Sequence, residues 1–270
     1  MLRELVFDID MTDYDPVRTC CTGADICTKC WGFIAAAVRV LDRALREEFG
    51  YKRLLWVYSG RRGIHLWISD KEAMGLADGE RKAIVGWLGV IMGGANARKV
   101  NVHVGGKLPP SLQNAMNHLR TIFGSLILET QDCFASEQGT EDLLKLIPET
   151  KLAETLKASW SAHPNRSSTD KWQDLAGYRS TYKTLNQTME NIILHYTYPR
   201  LDAEVSKHRN HLLKAPFCVH PKTGKVCIPV DVDRVEKFDP GAVPTVKQLL
   251  EELDRAGNVV AADGEVVPGM

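Results

Sequence analysis

Leu5-Val6-Phe7-Asp8-Ile9-Asp10 alternates apolar and polar side chains, the period-2 signature of a half-buried strand. The carboxylates of Asp8 and Asp10, two apart, project from one face, and Leu5, Phe7 and Ile9 take the opposite, buried face. Two unpaired carboxylates in proximity repel, and the usual relief is proton uptake or a bound cation. Mg²⁺ is held by one or two carboxylates plus phosphate oxygens and water, so such a pair suits a nucleotide-dependent metal site. Asp-x-Asp is also a common surface pattern, and the pair alone decides little.

Outward from this strand, 31–49 reads as a helix with Phe33, Ala37, Val40, Leu41, Ala44 and Leu45 on one face, stopped by Gly50. Residues 54–58 and 64–68 are two strands, and the connector 59–63 with its glycines makes them a hairpin. The pattern is helical over 71–97, over 111–128, and over 140–160 with a break at Pro148. The polar stretch 161–169, with Pro164, reads as a mobile loop, and interrupted helix follows to about 198. Strand character returns at 201–205 and in 217–230, where Pro221-Lys222-Thr223-Gly224 is a turn; 246–253 is a short final helix. Strand-like and helical stretches are thus mixed along the chain.

With 270 residues, 44% hydrophobic and 25% charged, the chain is neither collagenous, coiled-coil nor wholly disordered. Its 34 Lys+Arg balance 34 Asp+Glu, so a polyanion must be held by a local patch rather than by net charge. The bases are indeed uneven: 50–110 holds ten against four acids, and 198–225 holds six against two. No apolar run approaches the roughly 20 residues of a membrane span. Without a secretory signal, the seven cysteines point to a reducing, intracellular setting, in which clustered thiols are more often metal ligands than disulfides.

Ser59-Gly60-Arg61-Arg62-Gly63-Ile64-His65 is the most distinctive short stretch. Its glycines let backbone approach a ligand, its two arginines offer planar forks for phosphate oxygens, and Ser59 and His65 add polar donors. A triphosphate with its metals would use all of these; a basic hairpin tip with a satisfied histidine is the bland reading. His211-Leu212-Leu213-Lys214 and His220-Pro221-Lys222 form a second basic group, near Asp202. They could bind phosphate or donate a proton to leaving pyrophosphate, or simply be an exposed basic hairpin. Asp202 is a candidate third carboxylate; three acids from two strands could clamp two cations, although a surface turn acid would look the same. Cys20, Cys21, Cys27 and Cys30 pack four thiols into eleven residues, and Cys27-x-x-Cys30 has zinc-knuckle spacing. Structural zinc is expected there, with buried free thiols as the alternative.

Taken together, the stretches 4–15 and 57–65, the cysteine cluster, Pro199-Arg200-Leu201-Asp202, and 211–224 closely resemble the small, catalytic subunit of eukaryotic DNA primase. The resemblance runs from about Leu2 to Leu253 and is loose over 111–197. It implies a mixed α/β (α+β) fold, with a primase-type mixed-sheet catalytic core over 1–110 and 198–256 and a zinc-binding loop at 20–30. It also implies a helical subdomain over 111–197 and a tail over 257–270. It implies two Mg²⁺ or Mn²⁺ ions on Asp8, Asp10 and Asp202, and nucleotide contacts from Ser59, Gly60, Arg61, Arg62, Gly63, Ile64 and His65. Further nucleotide contacts fall on His211, Leu212, Leu213, Lys214 and His220, with structural Zn²⁺ on the four cysteines. The implied reaction is DNA-templated RNA primer synthesis from ribonucleoside triphosphates. The implied setting is the nucleus, on single-stranded template, beside the primase large subunit and the DNA polymerase alpha complex, with no membrane. The family carries further sheet and nucleotide-binding groups ahead of the Asp-x-Asp strand, whereas Met1 here stands almost at it. A piece of a longer protein, or a non-catalytic zinc-braced module that docks on replication partners or template, is therefore the competing expectation.

Overall fold

A computed structural model describes residues 2–92 and 102–263, with side chains for 2–91 and 102–256. Strands β1 (Leu5–Asp10), β2 (Leu54–Tyr58) and β3 (Gly63–Ile68) form an antiparallel sheet in the order β1-β3-β2. Alternation along β1 buries Leu5, Phe7 and Ile9 completely and leaves Asp8 and Asp10 half-buried. The register sets Asp8 opposite His65 and Asp10 opposite Gly63, so the Asp-x-Asp pair meets the end of the hairpin.

Helix α1 (Thr28–Glu47) covers the sheet with Trp31, Phe33, Ala37, Val38, Leu41 and Leu45, all buried. Its polar positions are tied down as well: the indole of Trp56 donates to buried Asp42 at 3.0 Å, and Trp31 donates to the Val235 carbonyl at 2.8 Å. Trp31, Tyr58 and Phe238 form an aromatic cluster, with Trp31 and Phe238 centroids 4.9 Å apart. A second layer on α1 consists of α4 (Pro110–Ile122) and a π-helical segment (Phe123–Thr130) that continues it. With them pack α5 (Glu137–Lys145), α6 (Thr150–Ala162), α7 (Ser168–Gly177) and α8 (Leu185–Thr197). The mixture of helices and a small antiparallel sheet is the expected α+β class.

Five expectations need correction. The helix expected over 71–97 is divided: α2 (Lys71–Gly75) stops, α3 (Asp78–Leu88) starts afresh, and β4 (Ile91–Met92) follows. The break has local causes. The Glu80 carboxylate caps the Ala77 N–H at 2.7 Å, and buried Arg81 reaches the carbonyls of Glu4 and Leu76 at 2.9 and 3.1 Å. These carbonyls satisfy a guanidinium that burial would otherwise penalise. Residues 93–97 of that expectation lie outside the described residues.

The strand expected over 201–205 is confined to β5 (Arg200–Leu201), which pairs in parallel with β4. Asp202 ends it by capping the short helix α9 (Ala203–Lys207), its carboxylate accepting from the Glu204 N–H at 2.9 Å. The ribbon expected in 217–230 turns at 221–224 but forms isolated bridges rather than strands, Val219 to Val226, Lys225 to Thr245 and Pro229 to Val57. Helix α10 (Val246–Asp263) outruns its expected end at 253 and takes in the first residues of the expected tail; 264–270 lie outside the described residues. In the polar stretch 161–169 the structure places the end of α6 and the start of α7, where Ser167 and Asp170 form a reciprocal cap.

Candidate active site

The β1-β3 register and the β4-β5 pair bring the distant acids to one place. The backbone N–H of Asp202 donates to the Asp8 carbonyl at 3.0 Å, which sets the end of β5 beside β1. Asp8 and Asp202 line one cleft together with Val205 and residues 211–214. Burial, then the neighbouring charges of Asp10 and Asp202, push the Asp8 carboxyl up to about 7, with Lys214 opposing. Asp10 is settled differently. Burial would raise it, but the Thr12 N–H at 2.8 Å, the Thr12 hydroxyl at 2.7 Å and the Arg62 guanidinium at 2.8 Å hold it below the usual carboxylate range.

Among the described residues, the four cysteines are the only group of three or more candidate ligands gathered within 4.8 Å; Asp8, Asp10 and Asp202 do not meet that spacing. The reason is visible in their partners: Asp10 is turned onto Arg62, and Asp202 caps α9. The acids share a cleft and feel one another's charge, and two of the three carboxylates hold other partners.

The 59–65 loop depends on close backbone approach. A β-carbon on Gly63 would lie 2.5 Å from the Ile9 carbonyl oxygen, and one on Gly60, at φ +82°, would lie 2.7 Å from the His220 side chain. Buried Ser59 accepts from the Gly63 N–H at 3.0 Å and so serves the loop itself, and Tyr58 donates to the Arg61 carbonyl at 2.7 Å. Ile64 is fully buried core. His65 is buried beside Asp8, 3.7 Å from its carboxylate, with Nδ1 3.4 Å from the Lys214 carbonyl. Burial, then the Lys214 ammonium, hold its imidazole down to about 4, so His65 is neutral at physiological pH and the pair is not an ion pair. His220 is held low by burial and by Lys214, Arg61, Lys222 and Arg62. Leu212 is largely exposed, Leu213 and Lys214 are half-buried, and the Arg3 guanidinium donates to the His211 carbonyl.

Two further residues bear on the site. Asp13 is raised by burial and by Asp10 and Asp202, a fourth acid within electrostatic reach. Buried Arg200 donates to the Asp13 carbonyl at 2.6 Å and stacks on Tyr14, whose hydroxyl accepts from the Arg200 N–H. This bracing fixes the β5 end that presents Asp202. The signal for Asp13 was its place in Asp8-x-Asp10-x-x-Asp13; Arg200 gave none beyond its place before Asp202.

The cysteine loop is the best-formed ligand set. Sulfurs about 2.3 Å from a zinc stand about 3.8 Å apart in a tetrahedron; here Cys27 lies 3.6 Å from Cys20 and 3.8 Å from Cys30. Burial would raise the Cys27 thiol, yet N–H groups of Cys30 and Lys29 and the thiols of Cys21 and Cys20 bring it down to about 7. Cys21 and Cys30 are pushed up by burial and by their sulfur neighbours, to about 12 and 11, the mutual repulsion that a cation relieves. Outer support is present too: buried Arg18 links Asp15, the carbonyls of Gly23 and Asp25, and Cys30, while Gln131 donates to Cys20 at 3.3 Å. Gln131 is delivered by the π-helical segment, so the helical layer braces the loop.

With this geometry in view, the family model for the DNA primase small subunit matches residues 7–232. The chain belongs to the DNA primase small subunit family. Among curated relatives, the DNA primase small subunit of Schizosaccharomyces pombe is 48% identical over 262 residues, covering 94% of this chain and 58% of its own. Those of Saccharomyces cerevisiae and Drosophila melanogaster are each 41% identical, covering 95% and 93% of this chain and 64% and 60% of their own. The chain thus spans about three-fifths of the primase small subunits it matches. Asp8, Asp10, Asp202, the 59–65 loop and the four cysteines all fall inside the matched region.

Proposed function

We propose that this primase-family chain carries the nucleotidyl-transfer site for DNA-templated synthesis of short RNA primers. The observation that carries the reading is the union of Asp202 with Asp8 in one cleft that also holds Lys214 and adjoins the Arg61-Arg62 loop. Asp8, Asp10 and Asp202 would hold two Mg²⁺ or Mn²⁺ ions; the crowded, raised Asp8 carboxyl and the all-oxygen donor set suit hard cations. When bound, such ions supply charge neutralisation of phosphate oxygens and activation of a 3′-hydroxyl.

The remaining work belongs to the chain. Arg61, Arg62 and Lys214 bind and orient the triphosphate by charge-assisted hydrogen bonds. Arg62 is the residue that must change partners, leaving Asp10 for phosphate. His65, neutral and buried, can donate one ring N–H to a phosphate oxygen without bringing a second charge into the cleft. Gly60 and Gly63 let the loop pack closely against the His220 side chain and the Ile9 carbonyl, which sets its arginines at the end of β1. Zn²⁺ on Cys20, Cys21, Cys27 and Cys30 would be structural, since four sulfurs leave no open position.

In this reading the chain works in the nucleus with a primase large subunit and the polymerase alpha complex. The basic excesses in 50–110 and 198–225 meet single-stranded template. No helix among the described residues is long and apolar enough to cross a membrane. A second reading, a zinc-braced module without catalysis, is favoured by one observation: the sulfurs are gathered for a metal and the carboxylates are not. Incorporation of labelled ribonucleotide on single-stranded DNA, with and without a large subunit, separates the two. Incorporation that depends on Asp8 and Asp202 supports the first, and its absence in both conditions supports the second.

A further inference from the structure

Phe217 adopts φ +65°, the left-handed region in which a β-carbon crowds the neighbouring carbonyl. Its N–H donates to the Cys227 carbonyl at 2.6 Å, and the Cys227 N–H donates to the Cys218 carbonyl at 2.8 Å. Phe217 and Cys218 thus stand together opposite Cys227, a β-bulge whose first, left-handed position is ordinarily glycine. A bulky aromatic there is strained, and strain of this kind clusters at functional sites. The core does not compensate it, because Phe217 is 68% exposed and lies outside the buried cluster.

Its position gives the ring a use. Three residues earlier in the chain, Lys214 lines the cleft with Asp8 and Asp202; three residues later, His220 packs against the Gly60 turn. The surrounding stretch 198–225 carries six bases and two acids. An exposed flat apolar ring in so basic a stretch of chain complements a ligand with a flat apolar face and an anionic backbone, which is a nucleotide. We propose that Phe217 is a stacking platform for a nucleobase, belonging either to the triphosphate or to the single strand that enters this cleft. The inference deepens the function proposed above and rests on it. The bulge fixes the backbone that carries the ring, so little main-chain ordering is needed on stacking.

The test uses the full chain with Phe217→Gly, Phe217→Leu and Phe217→Trp. A labelled oligodeoxythymidine is titrated by fluorescence anisotropy and ATP with Mg²⁺ by calorimetry, and each protein is melted. Phe217→Gly and Phe217→Leu bind one probe about tenfold more weakly, and Phe217→Trp stays within about twofold of wild type. Loss confined to the oligonucleotide assigns the base to the strand; loss confined to ATP assigns it to the incoming nucleotide. Phe217→Gly melts at or above the wild-type temperature, because glycine accepts the left-handed backbone. Unchanged binding in both weakened variants overturns the platform alone. So does a Phe217→Gly chain that melts well below wild type without a binding change, which makes the ring a packing element. A wild-type chain that binds neither probe overturns the platform together with the function on which it rests.

Discussion

The Asp202 N–H donates to the carbonyl of Asp8 at 3.0 Å, joining two acids distant in the chain through backbone rather than side chain. Because the link is made by the main chain, either carboxylate can be neutralised without unfastening the strands. Asp8→Asn and Asp202→Asn are therefore expected to fold normally while losing at least about 100-fold in nucleotide incorporation. Circular dichroism alongside incorporation checks both halves.

Asp8 also sets a pH dependence. Its carboxyl is raised from 3.8 to about 7 in the folded chain, so the folded state binds that proton more tightly than the unfolded state. The stabilisation this proton brings is complete below pH 3.8 and is lost as pH rises through 7. Asp8→Asn resembles the protonated form at every pH. Its melting temperature should exceed wild type at pH 8, and the gap should close as pH falls towards 4. Metal competes with the same proton, so Mn²⁺ affinity measured by calorimetry should fall as pH drops below about 7.

Arg62 and Asp10 pair at 2.8 Å with 28% and 33% of their side chains exposed, so solvent weakens the pair. Arg62→Ala should cost less than about 1 kcal/mol of stability. The same change should raise the KM for ribonucleoside triphosphate about tenfold, since a charge-assisted contact to phosphate is lost. Equilibrium denaturation and steady-state kinetics separate the effects; a large stability loss with unchanged KM would make Arg62 structural.

Gly63 offers the contrasting case. Its alanine variant drives a β-carbon to 2.5 Å from the Ile9 carbonyl and must push β1 away from β3. A loss of about 1–3 kcal/mol is expected, with activity falling in step because Asp8 and Asp10 ride on β1. Urea denaturation of Gly63→Ala reports it.

The cysteine loop should bind about one zinc per chain, and Cys27→Ser should lose it. Loss of the metal leaves Cys21 and Cys30 crowded and frees the loop that joins β1 to α1. The melting temperature should fall on treatment with a strong chelator and recover with added Zn²⁺. Elemental analysis of the purified protein checks the stoichiometry; a stable, metal-free chain would falsify the site.

What the sequence disclosed follows the range of the interactions. The alternation of 5–10, the hairpin around Ser59 to Gly63 and the thiol spacing are local, and each is found as read. The break before α3 was hidden because it rests on Arg81 reaching back to Glu4 across the fold. The residues 201–205 read as strand-like, but Asp202 is a helix cap, and capping outweighs periodicity over so short a segment. The meeting of Asp202 with Asp8 is made by a backbone hydrogen bond from the end of β5, a strand of two residues, too short for any pattern to register. The pairing of Arg62 with Asp10 could not be anticipated from two motifs 52 residues apart.

Ribonucleotide incorporation on a single-stranded DNA template, comparing wild type with Asp202→Asn in the presence of a large subunit, bears most directly on the central claim. The account predicts metal-dependent primer synthesis by wild type and none above background for the variant, with both proteins equally folded. Equal synthesis by the two would contradict it, because the Asp202 carboxylate brought beside Asp8 would then have no part in the chemistry.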